Sequence, residues 1–391
     1  MEPSRYTSQA RAARILRNRQ IMGFLFVFSS NPNSYGTLES TRSFLAKHTE
    51  ARDEIIECLV GIEKRLQIDS GQNLREEFTG PIVDLLFESG EVLSRRVANG
   101  MTFNFRYSSK IAREFVMAKG NAPDHVWEPQ TTKAVVSLST GAQNVIVGGA
   151  YFGDHALFIA RSLTAGGICH CFELSSDNIS MLRKNLDANG VTNVVINQEA
   201  LWSTDGAQIE LAGADSHASP QLADAGGGTQ TYVSRTIDQY ASTKGLDRID
   251  VIMLDIEGGE FAAIQGAERV LSREGTAAPA LICEIHRAYS DWSQGLRHTT
   301  LCSRLIELGY EVFAVRDYQG NEPMGGKVVE LVDIDSAVIT GPPHGFNLLA
   351  VKTRARLDPK VFQIVHNVSP KLLHHRDPKL FAPLEGGHEA P

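Results

Sequence analysis

The chain has 391 residues, 42% of them hydrophobic and 21% charged, with a formal net charge of −8. This supports a sizeable core, in one large domain with an elaborate lead-in or in two domains, and the acidic balance leaves no basic footprint for nucleic acid. Five scattered cysteines, an odd number, argue against a disulfide framework and fit reduced, buried thiols in a cytoplasmic protein.

At the N-terminus Arg5, Arg11, Arg14 and Arg17 lead to the run Met22-Gly23-Phe24-Leu25-Phe26-Val27-Phe28. That run is far shorter than the roughly 20 residues a membrane span needs. It reads as part of a basic helix docked on the body or used for a homodimer contact, with an organelle or secretory leader as the alternative. No transmembrane segment is expected elsewhere. Residues 1–99 form an N-terminal region that is helical from Thr37: Ile55, Ile56, Leu59, Ile62 and Leu66 recur at three and four residues, as do Ile82, Leu85, Leu86, Val92 and Leu93 after Pro81.

A second region, residues 100–355, opens with the alternating Gly100 to Phe105, a strand. Ser108-Ser109-Lys110 caps a short helix from Ile111 to Ala118. Trp127-Glu128-Pro129-Gln130 opens another, with Pro129 in the first turn where its missing N–H costs nothing. Next come an apolar run (Asn144 to Val147), a glycine-rich corner (Gly148 to Gly153), a helical stretch, a second apolar run and Glu173. This is a βαβ unit of a fold that holds a nucleoside across the carboxyl ends of parallel strands. Gly149 and Gly153 give the backbone freedom to approach a ligand, and the two oxygens of Glu173 suit the two hydroxyls of a ribose. A nicotinamide or flavin enzyme would want glycine at Ala150 and room for phosphate at Tyr151 and Phe152. S-adenosylmethionine has no phosphate and tolerates this corner, so methyl transfer is favoured over hydride transfer.

Beyond Glu173 the alternation continues. Asp177 to Asn189 is a helix and Asn193 to Asn197 a third strand, with Glu199-Ala200-Leu201-Trp202 at its end to flank an adenine. Residues 213–229 read as a mobile flap. Ile249 to Leu254 is a fourth strand ending in Asp255, and Ala280 to Cys283 a fifth ending in Glu284-Ile285-His286. A helix from Thr300 to Leu308, Glu311 to Val315 and Leu348 to Val351 complete the set. The spacing predicts an α/β fold, a doubly wound, mostly parallel seven-stranded sheet, with residues 356–391 as a weakly ordered tail. Cys169-His170-Cys171 has no second ligand pair at zinc spacing and reads as core packing.

Asp255-Ile256-Glu257-Gly258-Gly259-Glu260-Phe261, followed by Gly266-Ala267, Leu271 and Glu284-Ile285-His286, resembles the FkbM-type methyltransferase family. Phe172-Glu173 followed by Asn178, Leu182 and Asn185 is also similar, as is Trp127-Glu128-Pro129. The likeness covers roughly residues 100 to 352. It implies a class I, Rossmann-like S-adenosylmethionine fold and O-methylation of a small-molecule hydroxyl, of sugar or natural-product type. Val147, Tyr151 and Leu174 depart from the family's usual Asp, Asn and Pro.

On this reading S-adenosylmethionine binds at Glu128, Gly149, Tyr151, Gly153, Glu173, Leu174, Ala200 and Asp255. His286 is the favoured base, and Asp255 with Glu257 orients the acceptor. Structural readings stand beside these. Glu260 sits where negative charge suits a first helical turn, Glu128 either shapes the pocket or merely precedes a helix, His286 is a hydrogen-bonded strand end, and His155 lies on a helix face. Asp255, Glu257 and Glu260 form no recognisable cage, so no metal is expected. Two other readings stay open: a methyltransferase-fold binding protein without activity, and a nicotinamide-dependent oxidoreductase.

Overall fold

The computed structural model describes residues 37–66, 74–118, 123–212, 219–223, 230–318, 324–339 and 345–372. The basic N-terminal segment, most of the expected flap and the chain beyond residue 372 lie outside them. The chain divides into two compact units, Met1–Glu91 and Val92–Pro391.

The first unit is helical, as its periodicity predicts. Thr37 caps the helix Leu38–Lys47 reciprocally with Ser40, and Thr49–Arg65 buries Ile55, Ile56 and Leu59. Its buried Glu63 is held by a two-toothed ion pair from Arg75, at 2.7 and 2.6 Å. The helical expectation fails near its end. Gly90 takes a left-handed backbone (φ 81°), and Glu91–Arg96 is a strand whose residues alternate between half-buried and exposed.

The second unit is built on one sheet. Its strands are β1 (Asn144–Gly148), β2 (Ile168–Phe172), β3 (Val194–Asn197), β4 (Val251–Leu254), β5 (Ala280–His286), β6 (Glu311–Val315), β7 (Val329–Asp333), β8 (Gly345–Val351) and β9 (Phe362–Val365). Their spatial order is β9-β7-β6-β8-β5-β4-β1-β2-β3. Strands β5, β4, β1, β2 and β3 run parallel, whereas β8 is antiparallel to both β5 and β6. The expected doubly wound, mostly parallel architecture is present, but the sheet has nine strands rather than seven. β7 and β9 extend it at one edge, and β9 lies within the segment expected to be a weakly ordered tail. A four-residue strand such as β9, with the pattern Phe-Gln-Ile-Val, carries too little periodicity to stand out beside prolines and histidines.

Central strands are apolar throughout because helices cover both faces. On one face Ile146, Ile252, Leu254 and Leu281 join Tyr240, Ala263, Leu301 and Leu305 in one core. On the other, Val145, Val147, Cys169 and Cys171 are buried, and helices Pro129–Ser139 and Ala156–Ser162 pack together there. The Cys169 and Cys171 sulfurs lie 3.8 Å apart in this core. Asn185 and Asn189, on helix Ser176–Asn189, hydrogen-bond the backbone of strand Thr102–Tyr107, and Asn185 also donates to the Phe152 carbonyl at 2.8 Å. The glycine corner is thereby tied to two elements beyond its own βαβ unit. No helix among the described residues is long and apolar enough to cross a membrane.

Candidate active site

Parallel strands bring the residues beyond their carboxyl ends to a common edge, and here Gly149, Glu173, Asp255, Glu284 and His286 meet around one cavity of about 370 Å³. Register sets their order. Gly148 pairs with Phe172 and with Leu254, and Leu254 pairs with Cys283, which places Asp255 beside Glu284.

The corner is folded by backbone and by Glu173. Gly149 and Ala150 N–H groups both donate to the Phe172 carbonyl, at 2.9 and 3.1 Å. A Cβ on Gly149 would lie 1.7 Å from the Asp255 carbonyl oxygen, so the close approach of two strand ends demands glycine there. Gly153 does not line the cavity. Its φ is 92°, and a Cβ would strike Leu157 and Leu182, which makes it a helix-packing residue and not a cofactor contact. Glu173 accepts from Tyr151 N and Ser175 N, each at 2.8 Å. Burial raises its pKa, and these backbone donors oppose the rise. Each carboxylate oxygen offers two lone pairs, so these two N–H groups do not exhaust its capacity to accept.

Glu128, Tyr151, Leu174, Ala200, Glu257 and His286 also line the cavity, as expected from the sequence; Trp202 and Val147 do not. Val147 is buried within the sheet, 2% exposed, so its apolar character serves packing. Glu128 takes a left-handed backbone ahead of helix Pro129–Ser139. The buried N–H groups of Gln130 and Thr131 at that helix start are bound instead by Asp317, at 3.0 and 2.6 Å. Freed from capping, Glu128 bonds to Asn347 at 2.5 Å. Burial, then Asp317, raises its pKa to about 8, while Lys371 acts the other way.

The Asp255 to Glu260 segment folds as a tight turn around its last acid. Glu260 accepts from Ile256 N at 2.8 Å and Gly258 N at 2.9 Å, is 7% exposed and stands outside the cavity lining. Its role is to hold the turn that presents Asp255 and Glu257. Glu257 adopts a left-handed backbone (φ 52°) at the apex. Glu284 joins these two, with one carboxylate oxygen from each of the three within 4.8 Å of the others. Sequence reasoning names the strand end Glu284-Ile285-His286 but gives Glu284 no role. The available signal is alternation, which sends Glu284 and His286 to one face. Gly345 makes space for both, since a Cβ there would lie 2.6 Å from each.

Crowded carboxylates in a partly dry cavity resist ionisation. Burial, then Asp255 and Glu260, lifts Glu257 to about 8; burial also lifts Glu260 and Asp154 to about 7 and pushes Glu284 well up. The geometry also turns against His286 as the base. Its Nδ1 accepts from Ala288 N at 3.0 Å, so the neutral ring carries its proton on Nε2 and presents a donor there rather than a basic lone pair.

These raised carboxyls fix a sign for pH dependence. Unfolded, they ionise near 4.5 or below; folded, they keep their protons to about 7 or 8. Their contribution to stability is complete at low pH and is lost as pH rises through the folded values. We expect the melting temperature of the ligand-free protein to fall between pH 5 and 8, measured by scanning calorimetry, and a flat profile would refute the raised pKa values.

The family model described as Methyltransferase FkbM domain matches residues 148–312. Over that span, less than half of the chain, the sequence is similar to the FkbM methyltransferase domain. The matched span of that domain runs from the glycine corner to β6 and holds Glu173, Asp255, Glu257, Glu284 and His286, whereas Glu128, Gly345 and Lys371 come from chain on either side. No curated protein matches the chain. Among solved structures, the chain is similar to a Bacillus cereus O-methyltransferase in complex with SAH, with 16% identity, a TM-score of 0.34, and coverage of 57% of this chain and 81% of that one. It is also similar to TomG, the Streptomyces achromogenes O-methyltransferase involved in tomaymycin synthesis, at 13% identity and TM-score 0.33, over 57% and 79%. An rRNA methylase from Streptococcus thermophilus, at 12% identity and TM-score 0.33, is covered over 57% and 94%.

Proposed function

We propose that this chain transfers a methyl group from S-adenosylmethionine to a hydroxyl of a small molecule. One observation carries the reading: Glu173, held by two backbone N–H groups at the end of β2, shares a cavity with the carboxylates of Asp255, Glu257 and Glu284. The first suits a ribose; the three others suit a proton acceptor beside an electrophile.

The residues present fit the cofactor. Tyr151, Leu174 and Ala200 line the cavity beside Glu173, and Asp255 and Glu128 add acceptors to the same lining, where cationic groups would be welcome. When bound, S-adenosylmethionine supplies a methyl on a sulfonium, ready for in-line displacement. The chain must then align the acceptor oxygen and take its proton. Glu257, with a pKa near 8, is matched to that task at ordinary pH, where enough is ionised to accept a proton and the ionised form is still basic. Asp255 and Glu284 hold the acceptor through remaining oxygens, and the His286 Nε2–H offers a donor.

Titration calorimetry with S-adenosylmethionine, S-adenosylhomocysteine and NAD tests the assignment. We expect both adenosyl compounds to bind and NAD to give no heat. Binding of NAD with neither adenosyl compound would replace the proposal by an oxidoreductase.

A further inference from the structure

His155 is a residue of this cavity whose chemistry the methyl transfer itself does not use. It stands at the start of helix Ala156–Ser162, lines the cavity and is 5% exposed. Its two ring nitrogens have different fates. Thr132 Oγ1 has one proton, which it donates to the Trp127 carbonyl at 2.9 Å. The contact of 3.1 Å between Thr132 Oγ1 and His155 Nδ1 must therefore be a bond donated by the ring, with the proton on Nδ1. Nε2 has no hydrogen-bond partner. Burial drives the His155 pKa down to about 4, against the pull of Asp255 and Asp317, so the ring is neutral and Nε2 is a bare lone pair. A buried acceptor without a donor is costly in a folded protein and calls for an explanation.

Adenosylmethionine carries three kinds of donor: the adenine amine, the ribose hydroxyls and the α-ammonium. Glu173 serves the hydroxyls, and the Glu199 to Leu201 segment follows β3 beyond it, on the adenine side. The ammonium is left for the opposite end, where Asp255 acts on His155. We infer that His155 Nε2 accepts a hydrogen bond from the α-ammonium of bound S-adenosylmethionine, making His155 a binding residue for the amino-acid end of the cofactor, an inference that rests on the methyltransferase reading of the site.

The test is calorimetry on the full chain with two ligands, S-adenosylmethionine and methylthioadenosine, which keeps the adenine, ribose and sulfur but has no ammonium. In His155→Ala we expect affinity for S-adenosylmethionine to fall roughly ten- to hundredfold while that for methylthioadenosine stays within about twofold. His155→Gln, which restores a carbonyl acceptor, should recover part of the loss. Retained binding of methylthioadenosine shows that the variant is folded. Equal loss of both ligands, or loss of neither, in both variants overturns the inference and leaves the methyltransferase reading standing. A wild-type chain that binds neither ligand overturns both.

Discussion

Glu173→Ala should abolish the thermal stabilisation that S-adenosylmethionine gives the wild-type protein. The carboxylate of Glu173 already receives Tyr151 N and Ser175 N, so its loss removes two charge-assisted acceptors for ribose and also loosens the corner that shapes the pocket. Hydrogen bonds to an ionised group are worth about 1.5–3 kcal/mol each, which puts the affinity loss at roughly two to four orders of magnitude. Because the two stranded N–H groups border an open cavity, water can reach them, and the ligand-free protein should melt within a few degrees of wild type. Glu173→Gln should fall between: its one oxygen can serve only one of the two N–H groups, and its amide turns a donor toward the other. Cofactor stabilisation retained in the alanine variant would remove the ribose contact from Glu173.

The second large effect is on rate. Glu257→Gln should lower turnover about 10²- to 10⁴-fold, the usual worth of a positioned base, while leaving the affinity for S-adenosylmethionine nearly intact. In the wild type the rate should climb as pH rises towards 8, as Glu257 loses its proton, and level off above it; the glutamine variant should lack that limb. Asp255 is the first charged neighbour that raises the Glu257 pKa, so Asp255→Asn should move the midpoint to lower pH. An unchanged pH profile in Glu257→Gln would shift the role of base to Asp255 or Glu284.

The pH experiment and the ligand experiments also bear on one another. Protonated, the carboxyls around this cavity relieve their mutual repulsion at low pH; a bound cation relieves it at high pH. The stabilisation given by S-adenosylmethionine should accordingly grow between pH 5 and 8, over the range where the ligand-free protein weakens.

Much of the fold is legible in the residues because local rules and the tertiary fold agree. The run Asn144 to Val147, the corner and Glu173 mark a strand, a turn and a strand end whatever surrounds them, since apolar continuity and glycine backbone freedom act over a few residues. Ser109, Ser175, Thr236 and Thr299 cap the helices that come after them, each by a contact with the residue three further on. Where sequence and structure part, the deciding partner is distant along the chain. Gly153 looks like a ligand glycine until Leu182 is brought against it. Glu128 looks like a helix-start residue until Asp317, at the far end of the domain, takes that duty.

The sequence by itself determined the order of the central strands and helices, the identity of their strand ends and the acids placed on them, because hydrophobic period and turn chemistry are properties of neighbouring residues. Only the tertiary structure decided which of those acids share a cavity, which one merely braces a turn, and what proton each nitrogen of His155 and His286 carries. Those outcomes depend on burial and on hydrogen-bond partners drawn from remote parts of the chain, and both arise only when the sheet closes its register.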